Sequence, residues 1–280
     1  MLREMCVESG EIRAASIARR GSAELLTPRY VPKPWGRRTS SHGMSDDAWP
    51  LGEIVHEAPD LGLTIKWLQT SEPLSVQVHP QGKDGKDEWW YVVEAQDGAY
   101  IDIGLKAPAT RSKLFEAAHD GSLPSLLNRI APKPGDTYFI RAGTIHALGP
   151  GLIVLEVQEA SDVTYRLFDY GRDRELHLNQ GLFEARTGGA VECLPSDDSS
   201  FTVSQIDIES DARIVMAPER ACLVVLSGEG QIDGQSFAMS QCWLLCGAVS
   251  LHANDWMRLI LVEPQSPSKL QELPRSGAEE

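Results

Sequence analysis

Along most of this chain the apolar positions fall in short runs, many alternating with polar residues and broken by Gly, Pro and Asp. Period-two runs predict strands, because successive strand side chains point to opposite faces. A first series covers 65–78, 89–93, 100–103, 137–140, 152–158 and 164–168. One stretch breaks the rhythm. From Arg111 to Ile130 the apolar residues Leu114, Phe115, Ala118, Leu123, Leu126, Leu127 and Ile130 recur at spacings of three and four, which predicts helix. Gly121 and Pro124 divide this insertion into two short helices, expected to cover one end of the first β unit. Past Ala190 a second series appears at 201–208, 221–226, 230–232, 242–246 and 256–262. The pattern predicts a mostly β chain of two jelly-roll barrels or sandwiches, with a small helical insertion at 111–130 in the first.

The two series are weakly alike. The run Ser240-Gln-Cys-Trp-Leu-Leu-Cys-Gly-Ala matches in character Gly135-Asp-Thr-Tyr-Phe-Ile-Arg-Ala-Gly, and Leu251 then falls where the first series has His146. The expected organisation is an N-terminal arm over 1–22, loosely helical or disordered, a first β domain over 23–190, a second over 191–263, and a Pro-, Ser- and Glu-rich disordered tail over 264–280.

Composition narrows the class. A chain of 280 residues, 42% hydrophobic and 24% charged, is long enough for one large or two small globular domains. Its net charge of −14 opposes nucleic acid and anionic membranes as partners, so an anionic small substrate would need a local basic pocket. The cysteines, Cys6, Cys193, Cys222, Cys242 and Cys246, are odd in number and form no C-x-x-C pair, which argues for a reducing, cytoplasmic setting. Whether the chain is a monomer or a homodimer stays open at this level.

The chemistry concentrates in three separated segments: Ser75-Val76-Gln77-Val78-His79-Pro80, Lys86-Asp87-Glu88-Trp89-Trp90, and Gly143-Thr144-Ile145-His146-Ala147-Leu148. Alternation puts Gln77 and His79 on one face. A Gly-containing turn over 81–85 is expected to bring the strand of Glu88 back beside them, with His146 closing the site from a distant strand. Two imidazoles, a carboxylate and a carboxamide form a mixed nitrogen and oxygen shell suited to Zn2+ or another divalent first-row metal. Taken singly, each histidine is more often a packed or hydrogen-bonded structural residue than a ligand; the four residues together favour the metal. His56, His119, His177 and His252 sit at no ligand spacing and are expected to be structural or exposed, and Trp89, Trp90 and Tyr91 to be core or pocket wall.

The motifs Gln77-Val-His79-Pro, Lys86-x-Glu88-x-Trp90, Pro134-Gly-Asp-(x)5-Ala-Gly-Thr-x-His146-Ala-Leu and Glu156-x-Gln-x-x-Ser-Asp-x-Thr-Tyr-Arg166-x-x-Asp-Tyr170, in this order, resemble type I mannose-6-phosphate isomerase (phosphomannose isomerase), short bacterial form, of the cupin superfamily. The likeness runs from Lys33-Pro34-Trp35-Gly36 to about Ala185. It implies two cupin folds, the second without metal, and makes Gln77, His79, Glu88 and His146 the metal shell. It also implies catalytic roles for Arg166, Glu156 and Lys86, and sugar-phosphate contacts from Lys66, Ser75 and Arg166. Two departures bear on sugar selectivity: only eight residues separate His79 from Glu88, and Gly52-Glu53-Ile54-Val55 stands where the family has Gly-Glu-x-Trp.

The implied reaction moves a proton between C2 and C1 of a hexose phosphate through an enediol, which calls for charge stabilisation by metal and arginine and for a base. Glu156 and Lys86 are both candidates for that base. Two other readings keep the same pocket: a non-catalytic sugar-phosphate-binding cupin, and a cupin iron oxygenase, which would want an open metal face.

Overall fold

The computed structural model describes residues 3–7, 21–38, 50–189, 199–209, 213–216 and 218–265. The expected tail beyond Gln265, and residues 8–20 of the expected arm, lie outside the described residues. The chain divides into two compact units, one of residues 26–194 and the other of residues 1–25 with 195–280. Among the described residues no helix is long and apolar enough to cross a membrane.

In chain order β1 (Arg3–Val7) and β2 (Ser22–Leu25) come first and belong to the second unit. Then follow β3 (Arg29–Arg37), β4 (Leu51–Ala58), β5 (Leu63–Gln69), β6 (Val76–Val78), β7 (Glu88–Ala95), β8 (Ile101–Leu105), α1 (Arg111–Asp120), α2 (Leu123–Leu126), β9 (Leu127–Ile130), β10 (Thr137–Ile140), β11 (His146–Leu148), β12 (Leu152–Glu159), β13 (Tyr165–Phe168) and α3 (Leu178–Glu184). They form a six-stranded sheet, β10-β7-β12-β5-β4-β3, and a five-stranded sheet, β13-β6-β11-β8-β9. Trp35, Leu68, Trp90, Val92, Ile140 and Val154 from the first sheet pack with Ile101, Ile103 and Leu148 from the second. A sandwich of this kind buries one face of each sheet.

The run 65–78, expected as one strand, is two. Between Gln69 and Val76 the chain leaves one sheet for the other. Thr70 holds the corner, its hydroxyl donating to the Gly149 carbonyl at 2.7 Å and accepting from the Leu152 amide at 2.9 Å. Lys66 and Gln77 therefore lie in different sheets.

The helical insertion also sits elsewhere than expected. Thr110 caps α1, its side chain accepting from the Lys113 amide, and Gly121 ends the helix at φ +84°. Leu114, Ala117, Ala118 and Leu123 then pack on Val76, Val78, Ala147 and Leu167. By strand alternation those are the residues facing away from Gln77 and His146, so the helices cover the outer face of the five-stranded sheet and not an end of the unit. The last part of the expected helix, β9, is a strand paired with β8.

The second unit repeats this plan. It adds β14 (Phe201–Ile208), β15 (Arg213–Met216), β16 (Ala221–Ser227), β17 (Gly230–Ile232), β18 (Gln235–Phe237), β19 (Cys242–Cys246), β20 (Val249–Ala253) and β21 (Met257–Pro264). Its six-stranded sheet runs β1-β14-β21-β16-β19-β2 and its four-stranded sheet β15-β20-β17-β18. The order β19-β16-β21-β14 mirrors β10-β7-β12-β5, and β15-β20-β17-β18 mirrors β6-β11-β8-β9. His146 pairs with Gln77 and Ile103; Leu251, at the corresponding place, pairs with Ile214 and Ile232 in a wholly apolar core. Composition suggested a loose arm at the N-terminus, but β1 lies parallel to β14 and β2 antiparallel to β19.

Candidate metal centre and its surroundings

The residues of the expected shell meet across the sandwich. Gln77 of β6 pairs directly with His146 of β11, while Glu88 opens β7 in the opposite sheet. This reverses the expected arrangement, in which Glu88 was to lie beside Gln77 and His79 on a returning strand and His146 was to come from afar. The turn over 81–85 carries the chain from one sheet to the other, so its length sets the gap that Glu88 spans.

Both imidazoles are oriented by the backbone. The only role a carbonyl can take is acceptor, so His79 Nδ1 donates to the Val163 carbonyl at 3.1 Å and His146 Nδ1 to the Thr144 carbonyl at 2.8 Å. Each Nε2 then presents a lone pair to the interior. His79 Nε2 lies 3.0 Å from Glu88 Oε1, and His146 Nε2 lies 3.8 Å from Glu88 Oε2. These are acceptors facing acceptors: His79 Nε2 and Glu88 Oε2 are buried with no hydrogen-bond partner. Such an arrangement asks for a cation between the atoms. The donor atoms of His79, Glu88 and His146 all lie within 4.8 Å of one another, and ligands of a tetrahedral zinc stand roughly 3.4 Å apart. The carboxamide of Gln77 approaches His146 Nε2 at 3.3 Å through its nitrogen, and a half-turn about its last torsion brings its oxygen to the same point. The donor set fits a borderline divalent ion such as zinc.

Burial dominates the electrostatics. It pushes the His146 pKa down to about 4, helped by His79 beside it, so the ring is neutral at ordinary pH, the form a metal ligand needs. Burial would raise Glu88, but the neighbouring His79 and Lys86 outweigh it and hold the carboxyl well below the usual range. Glu156 is raised, first by burial and then by the nearby Glu88 carboxylate.

Next to the centre lies one connected polar network inside the six-stranded sheet. Glu156 on β12 pairs with Lys66 on β5 and with Trp90 on β7. Its Oε1 accepts from Lys66 Nζ at 3.1 Å and its Oε2 from Trp90 Nε1 at 3.0 Å. Gln158 Oε1 accepts from Lys66 and, at 2.8 Å, from Lys86, and Lys86 reaches Glu88 Oε1 at 3.2 Å. Burial lowers the Lys66 pKa, but Glu156, Glu53 and Glu88 overturn that and leave it raised. Of the remaining expected residues, Arg166 on β13 pairs with the other side of Gln77, and Ser75 is buried one residue before β6.

No family model matches the chain. It is 32% identical over 219 residues, 65% of this chain and 69% of the relative, to mannose-6-phosphate isomerase of Streptococcus mutans. The chain belongs to the mannose-6-phosphate isomerase family. In fold it resembles the crystal structure of mannose 6-phosphate isomerase from Bacillus subtilis, with TM-score 0.73 and 24% identity over 86% of this chain and 99% of that one. It also resembles a zinc-bound mannose 6-phosphate isomerase structure, with TM-score 0.68 and 13% identity over 88% of this chain and all of that one.

Within this family fold, the sequence reading gave no role to Gln158 or Asp169 and took Trp90 only as core or pocket wall. Gln158 binds both lysines, Trp90 binds Glu156 and stands edge-on to His146 with ring centroids 5.5 Å apart, and Asp169 grips two arginines. Alternation held the signal for the first two: Gln158 shares a strand face with Glu156, and Trp90 shares one with Glu88. His177, expected to be structural or exposed, has its Nδ1 accepting from the Arg166 amide at 3.1 Å.

Proposed function

We propose that the chain is a metal-dependent aldose–ketose isomerase interconverting mannose 6-phosphate and fructose 6-phosphate. The observation that carries this reading is the convergence of unpartnered acceptor atoms from His79 and Glu88, with His146, beside a buried Glu–Lys–Gln–Lys network, in a chain of this family. His79, Glu88, His146 and Gln77 would hold the ion, zinc in the first instance. When bound, it supplies Lewis-acid polarisation of the sugar's carbonyl and hydroxyl oxygens.

The chain's own residues account for the proton. Glu156, a carboxylate whose pKa burial raises, takes the carbon-bound proton as general base. The C2–H electron pair becomes the C1=C2 bond of the enediol, and the former carbonyl oxygen gains a proton. Return of a proton to C1, with loss of the O2 proton, gives the ketose. Lys66 and Trp90 fix both oxygens of Glu156. Lys86, held between Gln158 and Glu88, is placed to give and recover the oxygen-bound proton, and Arg166, always charged, meets the anionic substrate. Lys66 and Ser75 border the same interior. A binding-only pocket has no use for this proton-transfer set, and the oxygenase reading finds no support among the relatives. Cys222, Cys242 and Cys246 are free, which supports a reducing, cytoplasmic setting.

The test is proton NMR of zinc-loaded protein with mannose 6-phosphate in deuterium oxide, beside a chelator-stripped sample. Fructose 6-phosphate carrying deuterium at the exchanging carbon, formed only with metal present, is the expected outcome. A folded, metal-loaded protein that gives neither conversion nor exchange would remove the reading.

A further inference from the structure

Gln158 is 1% exposed, yet all four of its side-chain hydrogen-bonding positions are taken. Its Oε1 accepts from Lys66 Nζ and, at 2.8 Å, from Lys86 Nζ. Its Nε2 donates to the Glu159 carbonyl at 3.1 Å and to the Ser161 carbonyl at 3.3 Å. Turned about its last torsion, the amide would aim its N–H groups at two ammonium groups and its oxygen at two carbonyls. The partners therefore decide which way it faces. The segment it grips is itself held: the Ser161 hydroxyl donates to the Asp84 carbonyl at 2.8 Å, and two residues on, the Val163 carbonyl orients His79.

One neutral side chain thus sits in the middle of a continuous chain of hydrogen bonds. From Trp90 it runs through Glu156, Lys66, Gln158 and Lys86 to Glu88. Strand register explains the reach: Gln158 on β12 lies directly opposite Glu88 on β7, and two residues along the same face Glu156 lies opposite Lys66 on β5. Both ammonium nitrogens are within hydrogen-bond reach of one oxygen, so they stand no more than about 6 Å apart. Two like charges at that spacing repel. Glu156 on one side and Glu88 on the other offset the repulsion, and the shared amide oxygen sets where each ammonium group comes to rest.

We infer that Gln158 is a positioning residue that seats Lys66 and Lys86 on a single oxygen, keeping Lys66 on the Glu156 carboxylate and Lys86 beside Glu88 for the two proton transfers. The inference rests on the isomerase reading for its chemistry, while the seating of the lysines is a matter of geometry alone. A carboxamide fits here and its near alternatives do not. An apolar side chain of the same length would leave two buried ammonium groups short of an acceptor. A carboxylate would turn an oxygen onto the Glu159 and Ser161 carbonyls, acceptor against acceptor.

Steady-state kinetics on mannose 6-phosphate at saturating zinc compare wild type with Gln158→Met, Gln158→Asn and Gln158→Glu, and circular dichroism melting reports folding. Gln158→Met is expected to lose about a hundredfold in kcat, with KM within about threefold and zinc still bound. Gln158→Asn, whose shorter amide cannot reach both sides, is expected to lose about tenfold or more in kcat and decides the matter if Gln158→Met does not fold. Gln158→Glu returns an oxygen to both ammonium groups and should recover about tenfold of the kcat lost in Gln158→Met. Heteronuclear NMR of the lysine ammonium groups gives a readout independent of turnover. The slowly exchanging signals of Lys66 and Lys86, assigned from Lys66→Met and Lys86→Met, should persist in wild type and Gln158→Glu and be lost in Gln158→Met. A folded Gln158→Met that keeps wild-type kcat, changes only KM, or loses activity in step with bound zinc would overturn the inference. Zinc-loaded wild type with no turnover but with ammonium signals that depend on Gln158 would sink the isomerase reading and leave the seating of the two lysines standing.

Discussion

Glu88 and His146 stand 3.8 Å apart, carboxylate oxygen to imidazole nitrogen, although they belong to different sheets of the sandwich. An ion held between them would tie the two sheets together, so metal binding and folding are linked. Zinc at a hundredfold excess over its dissociation constant is expected to stabilise the protein by about 2.7 kcal/mol, read as a rise in melting temperature that a chelator reverses. In Glu88→Gln the rise should vanish, and zinc affinity measured against a chelating dye should fall by about a hundredfold or more.

Arg166→Lys keeps the charge but loses the planar fork. We expect kcat/KM on mannose 6-phosphate to fall by about a hundredfold with the fold and zinc content unchanged, measured by coupled assay and metal analysis. Wild-type kcat/KM in this variant would show that charge alone is used there.

Lys66 and Glu156 form a pair whose side chains are 18% and 6% exposed. Lys66→Met leaves the carboxylate with Trp90 alone, at a cost of about 2–4 kcal/mol at neutral pH, measurable by urea denaturation.

The pH dependence of stability has a definite sign at Glu156. Its folded pKa lies above the unfolded value of 4.5, so the folded state binds the proton more tightly. The stability this contributes is fully present below 4.5 and is lost as pH rises through the folded value. Glu156→Gln removes the titration. Denaturation midpoints of the chelator-stripped proteins, followed upward from below 4.5, should fall less steeply in the variant than in wild type.

Gly143 has φ +82°, and a Cβ there would lie 2.9 Å from Gln81 Cδ. Gln81 cannot yield freely, because its Nε2 donates to the Glu184 carbonyl at 2.7 Å. Gly143→Ala is therefore expected to destabilise by about 1–3 kcal/mol. Because the Gly143 amide donates to the His79 carbonyl at 2.9 Å, it should also weaken zinc binding, and dye competition on the folded variant checks this.

By itself the sequence determined the β class, most strand positions, the apolar second copy and which residues are candidates for the metal shell. These are local matters: alternation at two residues marks a strand, and the ligand types at Gln77, His79, Glu88 and His146 carry their chemistry wherever they lie. Leu251 could be matched to His146 because repeated topology preserves order along the chain. What only the tertiary structure decided was which strands face which. The unbroken run 65–78 conceals the corner at Thr70, since apolar alternation continues on both sides of it while the chain changes sheets. From that change it follows that Glu88 opposes His146 across the sandwich, that the helices lie on the back of the five-stranded sheet, and that Gln158 collects partners far away in sequence. Hydrophobic pattern reports whether a face is buried, not which distant face it is buried against, because the apolar driving force is non-directional.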